Sequence, residues 1–122
     1  MREISAKARK FREKLVKDID KDAAAYNDVM KAFKMPKNTE KQIDRRNRAI
    51  QSGLQNASLV PLSVARDAFS IMDLTAKVIR KGNKNAATDG AVAALTARAA
   101  ILGALYNVKT NLNFIEDHQF LK

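Results

Sequence analysis

Three observations predict an all-α fold. Apolar residues recur at spacings of three and four along most of the 122 residues. No stretch alternates apolar and polar with a period of two, and no Asn-Gly hairpin signal occurs. Stop and start signals divide the chain into long segments with short connections, which favour antiparallel neighbours. The expected architecture is a single domain over residues 1–122, an antiparallel bundle of four main helices with a buried, alanine-rich C-terminal helix.

The first helix is expected from about Ser5 to Lys34. Ile4, Ala8, Phe11, Leu15, Ile19, Ala23, Tyr26, Met30 and Phe33 form one apolar stripe along it. Met35-Pro36 ends it, because the residue before a proline avoids helical dihedrals. Thr39 followed by Gln42 is a capping-box pattern and opens a second helix, which carries Arg45, Arg46 and Arg48 and runs to about Asn56. Val60-Pro61 predicts a third start, with the proline in a first turn where its missing N–H costs nothing. Val64, Ala65, Ala68, Ile71, Met72, Thr75, Val78 and Ile79 give that helix a buried side, and Gly82 stops it in the usual place for a left-handed cap. The fourth helix begins between Asn85 and Asp89 and reaches about Glu116. From Ala91 to Tyr106 it is apolar nearly all round, which predicts burial on several sides, and its alanines and Gly103 would let neighbouring backbones approach.

Composition narrows the function classes. A hydrophobic content of 46% excludes an intrinsically disordered chain, and the absence of cysteine excludes disulfides and thiolate metal sites. The N-terminus, MREISAKARKF, lacks the apolar segment of a signal peptide. The Ala91–Tyr106 run, interrupted by Thr96 and Arg98, is short and alanine-rich for a membrane span. The formal charge is +10, and residues 1–48 hold 15 Lys and Arg against 8 Asp and Glu. Such a basic half attracts nucleic acid, anionic lipid or a polyanionic small molecule, or is plain solvated helix surface. Few aromatics and no reading motif weigh against nucleic acid.

P-loop, dinucleotide, HExxH and Ser-His-Asp signatures are absent. The single histidine, His118, lies in the C-terminal tail and reads as a surface residue. What remains is polar residues on otherwise apolar faces. At about 100° per residue, Asp89, Thr96, Ala100, Gly103, Asn107 and Asn111 share one narrow stripe of the fourth helix. Asp89 stabilises a first turn through the helix dipole, or belongs to a site. Asn107 and Asn111 are buried amides satisfied by backbone, or ligand contacts. Asp89 and Asn107 lie roughly 27 Å apart along a straight helix. They therefore serve different ends of a ligand, separate roles, or different subunits. On the first helix Asp22 and Tyr26 are one turn apart, beside Met30 and Phe33. A carboxylate beside a phenol suits proton transfer, and a packed tyrosine bonded to the aspartate is the plain alternative.

Five segments taken in order carry a resemblance. They are DAAAYNDVMKAFKMPK, RAIQ, VPLSVA, KGNKNAATD with VAAL, and GALYNVKTNL. Together they resemble the formiminotetrahydrofolate cyclodeaminase and methenyltetrahydrofolate cyclohydrolase family, from about Arg12 to Asp117. The resemblance implies an all-helical, homodimeric, cytoplasmic enzyme of folate one-carbon metabolism. Such enzymes close formimino-tetrahydrofolate to methenyl-tetrahydrofolate with loss of ammonia, often in histidine breakdown. Others interconvert methenyl- and formyl-tetrahydrofolate by adding or losing water. Neither metal nor cofactor is implied, since a tetrahydrofolate derivative is itself the substrate, and its anionic glutamate tail would give the basic residues a purpose. Matching positions make Asp22, Tyr26, Asn85, Asp89, Asn107 and Asn111 the candidates for substrate contact, with Asp22, Tyr26 and Asp89 the candidates for catalysis. Family members usually begin with a glycine-rich PGGGS-type segment and an alanine-rich helix. This chain shows neither, so the likeness is to the C-terminal two-thirds of such an enzyme and the expectation is an N-terminally shortened domain.

Overall fold

The computed structural model describes residues 2–82, 84 and 87–116. Among these the chain forms three helices, α1 (Arg2–Phe33), α2 (Glu40–Lys81) and α3 (Ala87–Leu112). The all-α expectation is met, and the count of four is corrected. The second and third expected helices are one helix of 42 residues that continues unbroken through Pro61. A proline inside a helix costs about 3 kcal/mol, because it removes one hydrogen bond and crowds the preceding turn. Burial offsets that cost here, since Leu54, Ser58, Pro61, Ala65 and Ala68 all sit inside.

α2 is the central element and packs against both other helices. Lys14 meets Ser63 and Asp67, Val29 meets Gly53, and Arg46 reaches the Phe33 carbonyl, so α1 and α2 run in opposite directions. Gly90 meets Ile79, Asn111 reaches Ala57, and Gln51 reaches Phe114, so α3 reverses again. The capping box forms as expected. Thr39 accepts from the Gln42 N–H at 3.2 Å, and the Gln42 side chain accepts from the Thr39 N–H at 3.2 Å. Arg46 donates twice to the Phe33 carbonyl and lies 5.6 Å from the centre of that ring, capping the C-terminus of α1. One of the three clustered arginines thus has a structural role, and Arg48 pairs with Asp44.

The core gathers where the end of α1, the first half of α2 and the end of α3 meet. Val29, Ala32, Ile50, Leu54 and Ile115 form it, with Met30, Met35, Ala49, Ala57 and Leu112 around them. Gly53 lets α1 come close, for a Cβ there would stand 3.1 Å from Val29 Cγ2. The face of α1 that packs is Asp18, Ala25, Val29 and Ala32. The expected apolar stripe is largely turned elsewhere, and Ile19, Tyr26 and Phe33 are exposed. Small side chains allow the close helix contact, and the larger apolar ones border it.

α3 is corrected most. It touches α2 through Gly90, Ala97 and Ala104, a seven-residue repeat of small residues, and these are its buried residues. Val92, Leu95 and Tyr106 are 57%, 67% and 69% exposed, so among the described residues α3 is not buried on several sides. Gly103 faces open space, and Gly90 makes the close approach instead. By length and composition alone α3 would suffice to cross a membrane. It ends at Leu112 rather than near Glu116, and Gln51 holds the following turn. Gln51 donates to the Phe114 carbonyl at 3.0 Å and accepts from the Glu116 N–H at 2.8 Å. Gly82 ends α2 in an extended conformation (φ −87°), not the left-handed one expected, and its N–H donates to the Val78 carbonyl.

Candidate functional site

The three helices leave a groove beside the core. Its first part, about 400 Å³, is lined by Asp22, Tyr26 and Phe33 from α1, Leu54, Ala57 and Pro61 from α2, and Asn107 and Asn111 from α3, among others. A second part, about 500 Å³, shares Asp22, Pro61 and Asn107 and adds Asp18, Leu15 and Ile19. The groove continues along α1 past Leu15 and Ile19 to Arg12. The side chains missing from the expected α1 core therefore form one wall of this groove.

Four of the six sequence candidates converge here. Asp22 and Tyr26 stand on α1, Asn107 and Asn111 on α3, and all four line the 400 Å³ cavity. Asp22 and Tyr26 project on one side because they are one turn apart, and no hydrogen bond joins them among the described residues. Asn111 continues the Gly90, Ala97, Ala104 repeat by another seven residues, which turns it toward α2. Its Nδ2 donates to the Ala57 carbonyl at 3.2 Å, so backbone satisfaction of this amide occurs. Asn107 lies one turn earlier and borders both parts of the groove.

Two candidates are not brought to this place. Asp89 is in the first turn of α3, exposed, at the end of the helix remote from Asn107. It does not line the cavities named above, which fits the roughly 27 Å separation along the helix. Asn85, like His118, lies outside the described residues.

Sequence reasoning missed the most connected polar cluster. Asp18 is only 4% exposed. Lys14 donates to its Oδ2 at 3.0 Å, to Ser63 Oγ at 2.8 Å and to Asp67 Oδ2 at 2.5 Å, with Lys21 3.9 Å from the other Asp18 oxygen. The Asp67 hydrogen bond, reinforced by Asp18, raises the Lys14 pKa above the ordinary lysine value against the opposing effect of desolvation. The cluster ties α1 to α2 and stands at the floor of the groove, where Asp18 borders the second cavity. The i,i+4 spacing of Lys14 and Asp18 was visible in the sequence. The 53-residue separation of Lys14 and Asp67 was not.

The arrangement can hold an elongated, largely flat apolar molecule between α1 and α3, with hydrogen-bonding groups at one end. Asp22 and the Tyr26 hydroxyl could exchange protons with a bound group, and the asparagines could orient it. Known proteins give this geometry a context. A family model described as formiminotransferase-cyclodeaminase matches residues 1–122. The chain is 34% identical over 120 residues to a methenyltetrahydrofolate cyclohydrolase of Methylorubrum extorquens, covering 98% of this chain and 58% of that protein. It is 36% identical over 107 residues to the formimidoyltransferase-cyclodeaminase of Sus scrofa, covering 88% of this chain and 20% of that protein. The Gallus gallus protein of the same name is 32% identical over 120 residues, covering 98% and 22%. The chain therefore spans just over half of the bacterial relative and about a fifth of the two animal ones. With its helices, its groove and a match from end to end, the chain belongs to the formiminotransferase-cyclodeaminase family.

Proposed function

We propose that this protein works in folate one-carbon metabolism, as a formimino-tetrahydrofolate cyclodeaminase or a methenyl-tetrahydrofolate cyclohydrolase. The observation that carries the reading is the convergence of Asp22, Tyr26, Asn107 and Asn111 on one cavity, in a chain whose relatives bear these two activities in their names. In the first reaction a folate nitrogen adds to the formimino carbon, and the resulting tetrahedral carbon expels ammonia. In the second, water adds to the methenyl carbon, and the tetrahedral carbon then releases one of its two ring nitrogens. Each route needs a proton removed from the entering group and a proton delivered to the leaving nitrogen. Asp22 is the acceptor and Tyr26 a donor within reach of the same cavity. The substrate is a tetrahydrofolate derivative, with no further cofactor and no metal.

Groove polarity supports a direction of binding. Asp22 and the asparagines occupy one end, and Arg12 stands at the other, ten residues or roughly 15 Å earlier on α1. Arg9 lies beside Arg12. The reactive ring system belongs at the amide end, and the anionic glutamate tail at the arginines.

The exposed apolar face of α3 supports a homodimer, in which a second copy covers Leu95 and Tyr106 and brings its own Asp89 to the neighbouring groove. The setting is cytoplasmic, with histidine breakdown one route that generates the formimino group. The same uncovered face favours a second reading, a non-catalytic helical dimerisation scaffold. Absorbance of methenyl-tetrahydrofolate, followed with the protein and with buffer alone, separates the two. A faster loss with the protein is expected of a cyclohydrolase and faster formation from formimino-tetrahydrofolate of a cyclodeaminase, and a dimer that changes neither rate and binds no folate would establish the scaffold.

A further inference from the structure

The Ala57 carbonyl is the acceptor that an N–H at position 61 would use, and Pro61 has none. The gap lies mid-helix, with Pro61 buried and Ala57 half-buried, so water is a poor substitute. Asn111 Nδ2 fills it at 3.2 Å from α3. A side-chain amide has one donor end and one acceptor end. With its nitrogen committed to the helix, Asn111 keeps Oδ1 as its acceptor, and it lines the 400 Å³ cavity together with Ala57 and Pro61 themselves.

We infer that Pro61 and Asn111 form a single orienting pair: the proline strips a carbonyl of its helical partner, the carbonyl fixes the Asn111 amide by its nitrogen, and Oδ1 is presented to an N–H donor of the ligand. Pro61 is thus a positioning residue that acts through Asn111. The lining of this cavity agrees with such a ligand. Its polar side chains are Asp22, Tyr26, Asn107 and Asn111, and neither lysine nor arginine is among its lining residues. The end of the ligand held here is therefore rich in N–H donors and neutral or cationic, such as the amino-pyrimidinone edge of a pterin or an amidinium group. The identity of the ligand rests on the folate reading, and the orienting pair does not.

A double-mutant cycle on the full chain tests the pair by thermal unfolding. Asn111→Ala leaves the Ala57 carbonyl without its donor and lowers Tm by about 4 °C or more. In a Pro61→Ala background the restored helical N–H takes over, and the same substitution costs clearly less. Equal losses in the two backgrounds overturn the pair. Calorimetric titration then uses 5-formyl-tetrahydrofolate, with 4-aminobenzoyl-glutamate as a probe of the tail alone. Asn111→Ala and Pro61→Ala should each weaken the first about tenfold, one hydrogen bond's worth, and leave the second unchanged. Unchanged binding of 5-formyl-tetrahydrofolate to both variants, or equal loss for both probes, overturns the acceptor role. Coupled Tm values with binding of neither probe support the pair and overturn the folate reading, and with it the ligand assignment.

Discussion

Asp22 and Lys14 sit eight residues apart on one helix and call for opposite experiments. Asp22 is exposed on the groove wall and makes no hydrogen bond or ion pair among the described residues. Asp22→Asn should therefore leave the unfolding midpoint near that of the parent and lower kcat by about a hundredfold, a common loss for a general base. Steady-state rates and an unfolding curve on the same sample check both halves. Lys14 is the reverse case. Lys14→Met leaves the buried Asp18 carboxylate only the Lys21 ammonium at 3.9 Å, and stability should fall by about 1–3 kcal/mol, below the range for a fully buried pair because the Lys14 side chain is 41% exposed. The pH dependence has a definite sign. A lysine whose folded pKa is raised adds stability that is complete below its unfolded value and disappears as pH rises through the folded one. The gap between parent and Lys14→Met should thus be full at neutral pH and shrink above the ordinary value of 10.5. Urea unfolding at both pH values measures it, and a gap that widens in alkali would contradict the cluster.

Helix contacts in this chain depend on small residues at particular places, and α3 supplies a matched pair. A Cβ at Gly90 would lie 2.6 Å from Ile79 Cγ1, whereas a Cβ at Gly103 would meet nothing within 4 Å. Gly103→Ala should gain about 0.5–1 kcal/mol from helix propensity alone. Gly90→Ala has the same propensity gain but pushes α3 from α2, and should lose about 1 kcal/mol net. Thermal unfolding of the two variants distinguishes this assignment from the sequence-based one, which gave the close approach to Gly103. The seven-residue repeat was present in the sequence, yet the polar stripe drawn from Asp89 starts one residue, or about 100°, away from it and meets it only at Asn111. An alanine-rich helix offers a weak amphipathic signal, so its contact face is settled by what packs against it.

For the whole molecule, the exposed side of α3 is the unresolved surplus of apolar surface. Sedimentation should report a dimer, and Leu95→Asp or Tyr106→Lys should shift it toward monomer without loss of helix. A parent protein that sediments as a monomer at all concentrations contradicts the proposed partner. If Asp89 serves the groove of the second copy, Asp89→Asn and Asn107→Ala variants that are each inactive should recover activity on mixing. No recovery between exchanging subunits would confine Asp89 to its helix dipole.

The sequence by itself determined the helical class, the capping box at Thr39, the end of α1 before Pro36 and the family, because each rests on local spacing or on matched residues. It also named the four groove residues and set Asp89 apart from Asn107, but it could not say that Asp22 and Asn107 stand in one cavity. It misread Pro61 as a helix start, since proline at a first turn and proline inside a helix look alike until the donor for the Ala57 carbonyl is found. That donor comes from 54 residues away, as the Asp67 partner of Lys14 comes from 53. Such pairings depend on which faces meet after the helices pack. Packing here brought the helices together at the small residues Ala25, Gly53, Gly90 and Ala97 beside a core of Val29, Ile50, Leu54 and Ile115, and left Ile19, Tyr26 and Phe33 exposed. Close backbone contact through small side chains set the helices together, and the bulky residues left at the margin became the walls of the groove.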